Sequence, residues 1–223
     1  MIRLKGDRVS GVLPREFFAR HTLEVARDLV GKLLVVRADP EYALEDPRSK
    51  TTSGIIVETE AYRADDPASH SCRGETPRNR VMFGEAGVAY VYFIYGNYEM
   101  LNFVTEPRGA PGAVLIRAVQ PVTGLALMQR QRPRARTEVE RTNGPGKLCA
   151  AMGVRLSHNG ESLRGPSLFV AEGREPVALS VSPRVGIREG VEAMWRFFET
   201  DNDYVSRAPQ NREARPLKGV RHA

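Results

Sequence analysis

The chain has 223 residues, 41% of them hydrophobic and 27% charged, which suits one domain with its own core and no need of disulfide or metal staples. No run of about 18 apolar residues occurs and residues 1–10 lack the apolar stretch of a secretory signal, which excludes a membrane-spanning helix and makes a cytoplasmic location the expectation. The net charge of +6 and a pI near 9.6 favour polyanionic partners, nucleic acid first among them.

In chain order, residues 1–12 read as a basic tail, residues 13–205 as the domain, and residues 206–223 as a second, mobile basic tail. Pro14, Phe17 and Phe18 predict a short helix anchored in the core. Thr22 is suited to cap a helix running to Val30, with Gly31 as its stop. A buried strand follows over Leu33–Val36, then a polar loop from Asp39 to Thr52. Gly54–Tyr62 predicts the next strand. Alternation there sets Ile55, Val57, Thr59 and Ala61 on one face and Ile56, Glu58, Glu60 and Tyr62 on the other. Arg63–Glu85 is a long irregular segment, of the kind that often carries function.

Val88–Tyr95 is an aromatic strand, with Tyr90, Tyr92 and Ile94 on one face. Gly96-Asn97 fits a two-residue hairpin turn, and Tyr98–Val104 returns. A strand at Ala113–Val119, a helix at Gly124–Arg132, a basic loop at Arg130–Arg141, a helix at Pro145–Met152 and strands at Leu168–Val170 and Val177–Val181 complete the reading. The expected fold class is α+β: a single compact domain with a curved, mainly antiparallel sheet, flanking helices and a protruding β-hairpin.

Several segments have side chains suited to chemistry. Glu58 and Glu60 share a strand face with Tyr62; a carboxylate so placed acts as a general base if water reaches it, although solvated glutamates are commoner. Tyrosines at both ends of a tight hairpin suit a wedge into stacked bases, or simply a core-packed hairpin. Arg73, Arg78 and Arg80 offer cations to a phosphate backbone from one loop, and His70 precedes them. Asn143-Gly144-Pro145-Gly146-Lys147-Leu148 is no P-loop, since Leu148 stands where Ser or Thr is needed; it reads as a helix start whose free amides suit a phosphate. Cys72 and Cys149 make neither a zinc clip nor a disulfide framework. Glu58, Glu60, Asp65 and Asp66 leave open a magnesium-dependent nuclease.

Taken in order, Gly54-Ile55-Ile56-Val57-Glu58-Thr59-Glu60-Ala61-Tyr62, Ala68-Ser69-His70-Ser71, Thr76-Pro77-Arg78-Asn79-Arg80, Met82-Phe83, Tyr90 to Gly96, Asn102, Ile116-Arg117-Ala118 and Asn143 to Leu148 resemble the alkyladenine (3-methyladenine or 3-methylpurine) DNA glycosylase family. The likeness runs from Glu16-Phe17-Phe18 to Arg184-Val185-Gly186-Ile187. It implies an enzyme of base excision repair that flips a damaged purine from duplex DNA and hydrolyses its N-glycosidic bond. The purines implied are 3-methyladenine and 7-methylguanine, with hypoxanthine and ethenoadenine as further candidates. By the same resemblance Glu60 is the general base and Arg117 lies near the catalytic water. Tyr62, His70 and Tyr92 sandwich the base, Asn102 crowds the amino group of normal guanine, and Tyr95 fills the vacated gap. Arg73, Arg78, Arg80 and Lys147 are the expected backbone contacts. No metal or other cofactor is implied, and the expected state is a monomer on double-stranded DNA, associated with the nucleoid. No lysine stands among the pocket motifs, so hydrolysis to an intact abasic site is expected rather than Schiff-base lyase chemistry. A non-catalytic damage binder would carry the same pocket.

Overall fold

The computed structural model describes residues 11–42, 48–94, 96 and 98–217, with the backbone of 4–5 and 8–9. The elements begin with a two-stranded ribbon, β1 (Leu4–Lys5) and β2 (Arg8–Val9), and the short helices α1 (Arg15–Phe18) and α2 (Thr22–Asp28). Then come β3 (Leu33–Arg37), β4 (Thr51–Arg63), β5 (Ala89–Ile94), β6 (Tyr98–Thr105) and β7 (Gly112–Thr123). Three helices follow: α3 (Leu125–Gln131), α4 (Val139–Thr142) and α5 (Pro145–Met152). The last strands are β8 (Leu168–Ala171), β9 (Leu179–Ser182), β10 (Arg196–Glu199) and β11 (Arg215–Pro216).

Among the described residues one nine-stranded antiparallel sheet dominates, ordered β11-β9-β10-β4-β7-β6-β5, with β3 joining β4 to β8. The 13-residue β4 is its axis. One edge of β4 is shared by β3, which pairs with residues 51–55, and β10, which pairs with 58–60. The other edge pairs with β7 from Ser53 to Arg63. One sheet face packs on the helices: Phe18, Val25 and Ala26 from α1 and α2, Leu29 just after α2, and Leu148, Cys149 and Met152 from α5 bury Leu34, Ile56, Ala61, Val91, Leu101, Phe103, Val114 and Ile116. Burial of this apolar surface is the main source of stability.

Two adjacent bulges reshape the opposite face. Ile56 lies across from Val119, Glu58 from Ala118, and Thr59 from Ile116, so Val57 and Arg117 are the extra residues. Each bulge keeps two consecutive side chains on one face. Val57 and Ala118 pack with Leu33, Ile55 and Phe198, beside Glu58 and Arg117. The expected alternation is corrected accordingly. Ile56 packs with Ala61 among the helices, and Ile55 and Val57 lie with the glutamates rather than with Thr59 and Ala61. Period-2 reasoning fails here because a bulge is a property of two strands.

Other expectations change in detail. Ile94 pairs with Tyr98 across the hairpin, and Asn97 of the expected Gly96-Asn97 turn lies outside the described residues. Thr22 is the first helical residue, not the cap. Its amide and hydroxyl both donate to Glu106 Oε1, at 2.8 Å each, so a carboxylate from the β6–β7 turn satisfies the helix start. Gly31 does follow α2, with φ +94° against the Arg174 carbonyl, where a Cβ would sit 2.3 Å from oxygen. The packing also continues past residue 205, where a mobile tail was expected: Ser206 is buried, residues 209–213 form a 3-10 turn, and β11 pairs with β9. β10 is a strand that the sequence reading does not place; its pairing with β4 and β9 fixes it.

Candidate active site

On the bulged face, β4, β5, β6 and β7 align Tyr62, Tyr90, Tyr92, Met100, Asn102, Leu115 and Arg117 around one cavity of about 290 Å³. The sheet register brings them together: Glu60 lies opposite Leu115, Leu115 opposite Asn102, and Asn102 opposite Tyr90. His70 closes the cavity from the long 63–85 segment, Pro145 from the start of α5, and Val185, Gly186 and Ile187 from the segment after β9. The volume is at the small end of ligand sites, on the scale of one planar base.

The aromatic wall is built from one edge-on and one tilted ring contact. The His70 and Tyr92 rings lie 4.6 Å apart at 65°, and the Tyr90 and Tyr92 rings 5.3 Å apart. His70 Nδ1 meets the Tyr90 hydroxyl at 3.0 Å. The backbone at His70 is held by Asn79, whose Nδ2 donates to the His70 and Gly74 carbonyls at 2.7 and 3.0 Å. Burial and the neighbouring Arg78 charge both lower the His70 pKa, which keeps the imidazole neutral at pH 7. Asn102 is fixed by its own donation to the Tyr90 carbonyl at 3.2 Å.

Glu60 does not itself line the cavity. It lies fully buried behind the wall, bonded to three groups that do line it. Oε2 accepts the Tyr62 hydroxyl at 2.8 Å and Arg117 Nη1 at 3.2 Å; Oε1 accepts the Val185 amide at 2.7 Å. A carboxylate offers about four lone-pair sites, so one on Oε1 remains for a further donor. Burial and the Glu60 charge raise the Tyr62 pKa well above its ordinary value, so the phenol stays protonated and donates. Burial opposes the charge on Arg117, but the Glu60 and Glu58 carboxylates outweigh it and raise that pKa.

The segment behind Val185 was not singled out as part of the site by its residues alone. Arg184, 1% exposed, donates through Nη1 and Nη2 to the buried Asp66 carboxylate and through Nη1 to the Ala61 carbonyl at 2.9 Å. Its guanidinium lies 4.6 Å from the Tyr62 ring centroid and 5.0 Å from that of Trp195. A buried arginine cannot be told from a surface one in a sequence; the only local hint was the apolar Val185 and Ile187 beside it.

The expected backbone contacts do not line the cavity. Arg73 is exposed on the same loop as Arg78 and Arg80. Arg78 stacks over Tyr92 at 5.2 Å, Arg80 pairs with Glu75 at 3.0 Å, and Lys147 donates to Asn143 at 2.8 Å. Tyr95 lies outside the described residues; the flanking Phe93 and Tyr98 are exposed. The acidic set considered for magnesium is spent on arginines: Glu58 and Glu60 on Arg117, Asp65 on Arg63, Asp66 on Arg184. Among the described residues no group of three or more His, Cys, Asp or Glu side chains is placed to hold a metal ion, and no helix is long and apolar enough to cross a membrane.

Residues 16–203 match the model of a family described as methylpurine-DNA glycosylase. Three relatives share the name "Putative 3-methyladenine DNA glycosylase". The one from Prosthecochloris aestuarii is 44% identical over 201 residues, 89% of this chain and 92% of the relative. The one from Methanocella arvoryzae is 46% identical over 204 residues, 89% and 98% respectively. The one from Rhodopseudomonas palustris strain BisB18 is 46% identical over 198 residues, 87% and 90%.

Proposed function

The chain belongs to the methylpurine-DNA glycosylase family and is a hydrolytic DNA glycosylase, and from that premise we propose how its cavity works and on which bases. The cavity receives one purine flipped from duplex DNA, the cost of a few kcal/mol being met partly by stacking on Tyr62, His70 and Tyr92. Glu60 is the general base. It takes a proton from a water at its free Oε1 lone pair while that water attacks the sugar carbon, and its charge stabilises the positive character developing on the sugar. The bond between sugar and base breaks, the electron pair leaves with the purine, and an abasic site remains. Arg117 and the Val185 amide hold the carboxylate still.

The single observation that carries this reading is the position of Glu60, a fully buried carboxylate whose three hydrogen-bond partners, Tyr62, Arg117 and Val185, all line the one-base cavity. The wall also suits cationic alkylpurines such as 3-methyladenine and 7-methylguanine. A cation is attracted to aromatic faces, and a neutral His70 does not repel it. Hypoxanthine and ethenoadenine stack on the same rings. Asn102, held by Tyr90, is the residue that excludes the amino group of normal guanine. Tyr95, which lies outside the described residues, is carried over from the resemblance as the side chain that fills the gap in the duplex, and the exposed Phe93 and Tyr98 are near it in sequence. Arg73, Arg78, Arg80 and Lys147 face the phosphates, and the protein acts as a monomer at the nucleoid in the cytoplasm.

Glu60→Gln tests the assignment. Single-turnover release of 3-methyladenine from methylated duplex DNA is expected to fall at least about 100-fold, with affinity for an abasic-analogue duplex unchanged within a few-fold. Release at the wild-type rate would refute it.

A further inference from the structure

We propose that Glu58 is a positioning residue for the glycosylase reaction: it holds the Arg117 guanidinium so that Nη1 meets Glu60, and Arg196 with Ser206 holds Glu58 in turn. The inference rests on the reading of Glu60 as the base. Glu58 and Arg196 are both 0% exposed, and Arg117 is 6% exposed. Burying three such charges is costly unless they are closely paired and their remaining donors and lone pairs are hydrogen-bonded. Glu58 Oε1 accepts Arg117 Nε at 2.8 Å, Arg196 Nε at 2.6 Å and the Ser206 hydroxyl at 2.7 Å, while Oε2 accepts the Ser206 amide at 2.7 Å.

Every nitrogen of Arg117 is thereby assigned: Nε to Glu58, Nη1 to Glu60 and Nη2 to the Ser206 hydroxyl at 3.4 Å. With Nε and Nη2 pinned on the far side, the guanidinium plane has one orientation. Arg196 is fixed likewise, by the Ser182 hydroxyl at 3.1 Å, the Asn211 side-chain carbonyl at 2.8 Å and the Ser206 carbonyl at 3.3 Å. The β4–β7 bulges that double Val57 with Glu58 and Arg117 with Ala118 place the two side chains on one face and side by side.

The charge balance gives the arrangement a catalytic meaning. Two carboxylates, Glu58 and Glu60, face two guanidiniums, Arg117 and Arg196, and the Arg184 charge that also bears on Glu60 is balanced by Asp66, so the cluster is neutral as a whole. Glu58 absorbs the field of Arg117 that would otherwise bear on Glu60 alone. Without it the cluster carries +1, Glu60 holds its electrons more tightly and is a weaker base, and its negative field at the sugar is partly cancelled.

Glu58→Gln keeps the shape and removes the charge. Single-turnover release of 3-methyladenine at neutral pH is expected to drop about tenfold or more. The acid limb of the rate–pH profile should move down by about one unit, with affinity for the abasic-analogue duplex retained. Glu58→Asp, which keeps the charge, should return the limb to its wild-type position. A wild-type plateau in Glu58→Gln, or a plateau lowered only in step with the folded fraction and with the limb unmoved, would overturn the proposal. If Glu58→Gln does not fold, Ser206→Ala decides. It keeps every charge, and a plateau lowered about three- to tenfold at an unchanged unfolding temperature supports the proposal, whereas a wild-type plateau overturns it. Glu60→Gln, run alongside, separates the two readings: if it too releases base normally, the reading of Glu60 has failed, and if it is inactive while Glu58→Gln is normal, only the positioning role has.

Discussion

Replacing Asp66 by Asn should unfold the wall that carries Val185. Asp66 and Arg184 are each 1% exposed, and the carboxylate takes both terminal nitrogens of the arginine as well as the Ala68 amide. Asn is isosteric but neutral. It leaves the buried Arg184 charge with one amide oxygen in place of a carboxylate and no countercharge bonded to it, beside the Ala61 and Gly190 carbonyls and the faces of Tyr62 and Trp195. Arg184 Nε has no hydrogen-bond partner even in the native protein, so no spare acceptor stands ready to compensate. Stranding one member of a buried pair costs about 3–5 kcal/mol. At roughly 2–4 °C per kcal/mol for a domain of this size, the unfolding midpoint should fall by about 6–20 °C. Thermal and urea unfolding measure it. The double variant Asp66→Asn/Arg184→Met, which removes both charges, should recover a substantial part of the loss. A single variant within about 1 kcal/mol of wild type would show that the pair is solvated or dispensable, and the account of how Val185 reaches Glu60 would fall with it.

Two further outcomes follow from the same wall. His70 should titrate below its ordinary value of about 6.5, since burial and Arg78 both disfavour its charged form. Its contribution to stability is therefore intact above that unfolded value and is lost as pH falls through the lower folded one, because the unfolded chain binds the proton first; an imidazole NMR titration at or above 6.5 would contradict this. Gly146→Ala should destabilise by roughly 1–3 kcal/mol, because a Cβ there would sit 2.5 Å from Tyr98 Cδ1 and 3.0 Å from its Cβ, forcing α5 and the hairpin arm apart; chemical denaturation checks it, and an unchanged midpoint would mean that Tyr98 yields freely.

Much of this protein is written locally in its residues. Pro145 and Gly153 bracket α5, the latter in the left-handed region at φ +83°, because proline suits a first helical turn and glycine a last one. The aromatic alternation of β5 predicts Tyr90, Tyr92 and Ile94 on one face, and all three line the cavity. Glu58, Glu60 and Tyr62 share a face as their spacing requires, and the motif order alone resembled the family to which the chain belongs. What tertiary structure decided is which charges meet. Val185 reaches Glu60 from 125 residues away and Arg184 reaches Asp66 from 118, Arg196 and Ser206 reach Glu58 from farther still, and the bulges that turn Arg117 toward both glutamates exist only in the register of β4 against β7. Periodicity reports how one strand meets water. It carries no record of the distant partner that makes it possible to bury an arginine or a glutamate, so the residues that anchor the site read as ordinary surface charge until the sheet is assembled.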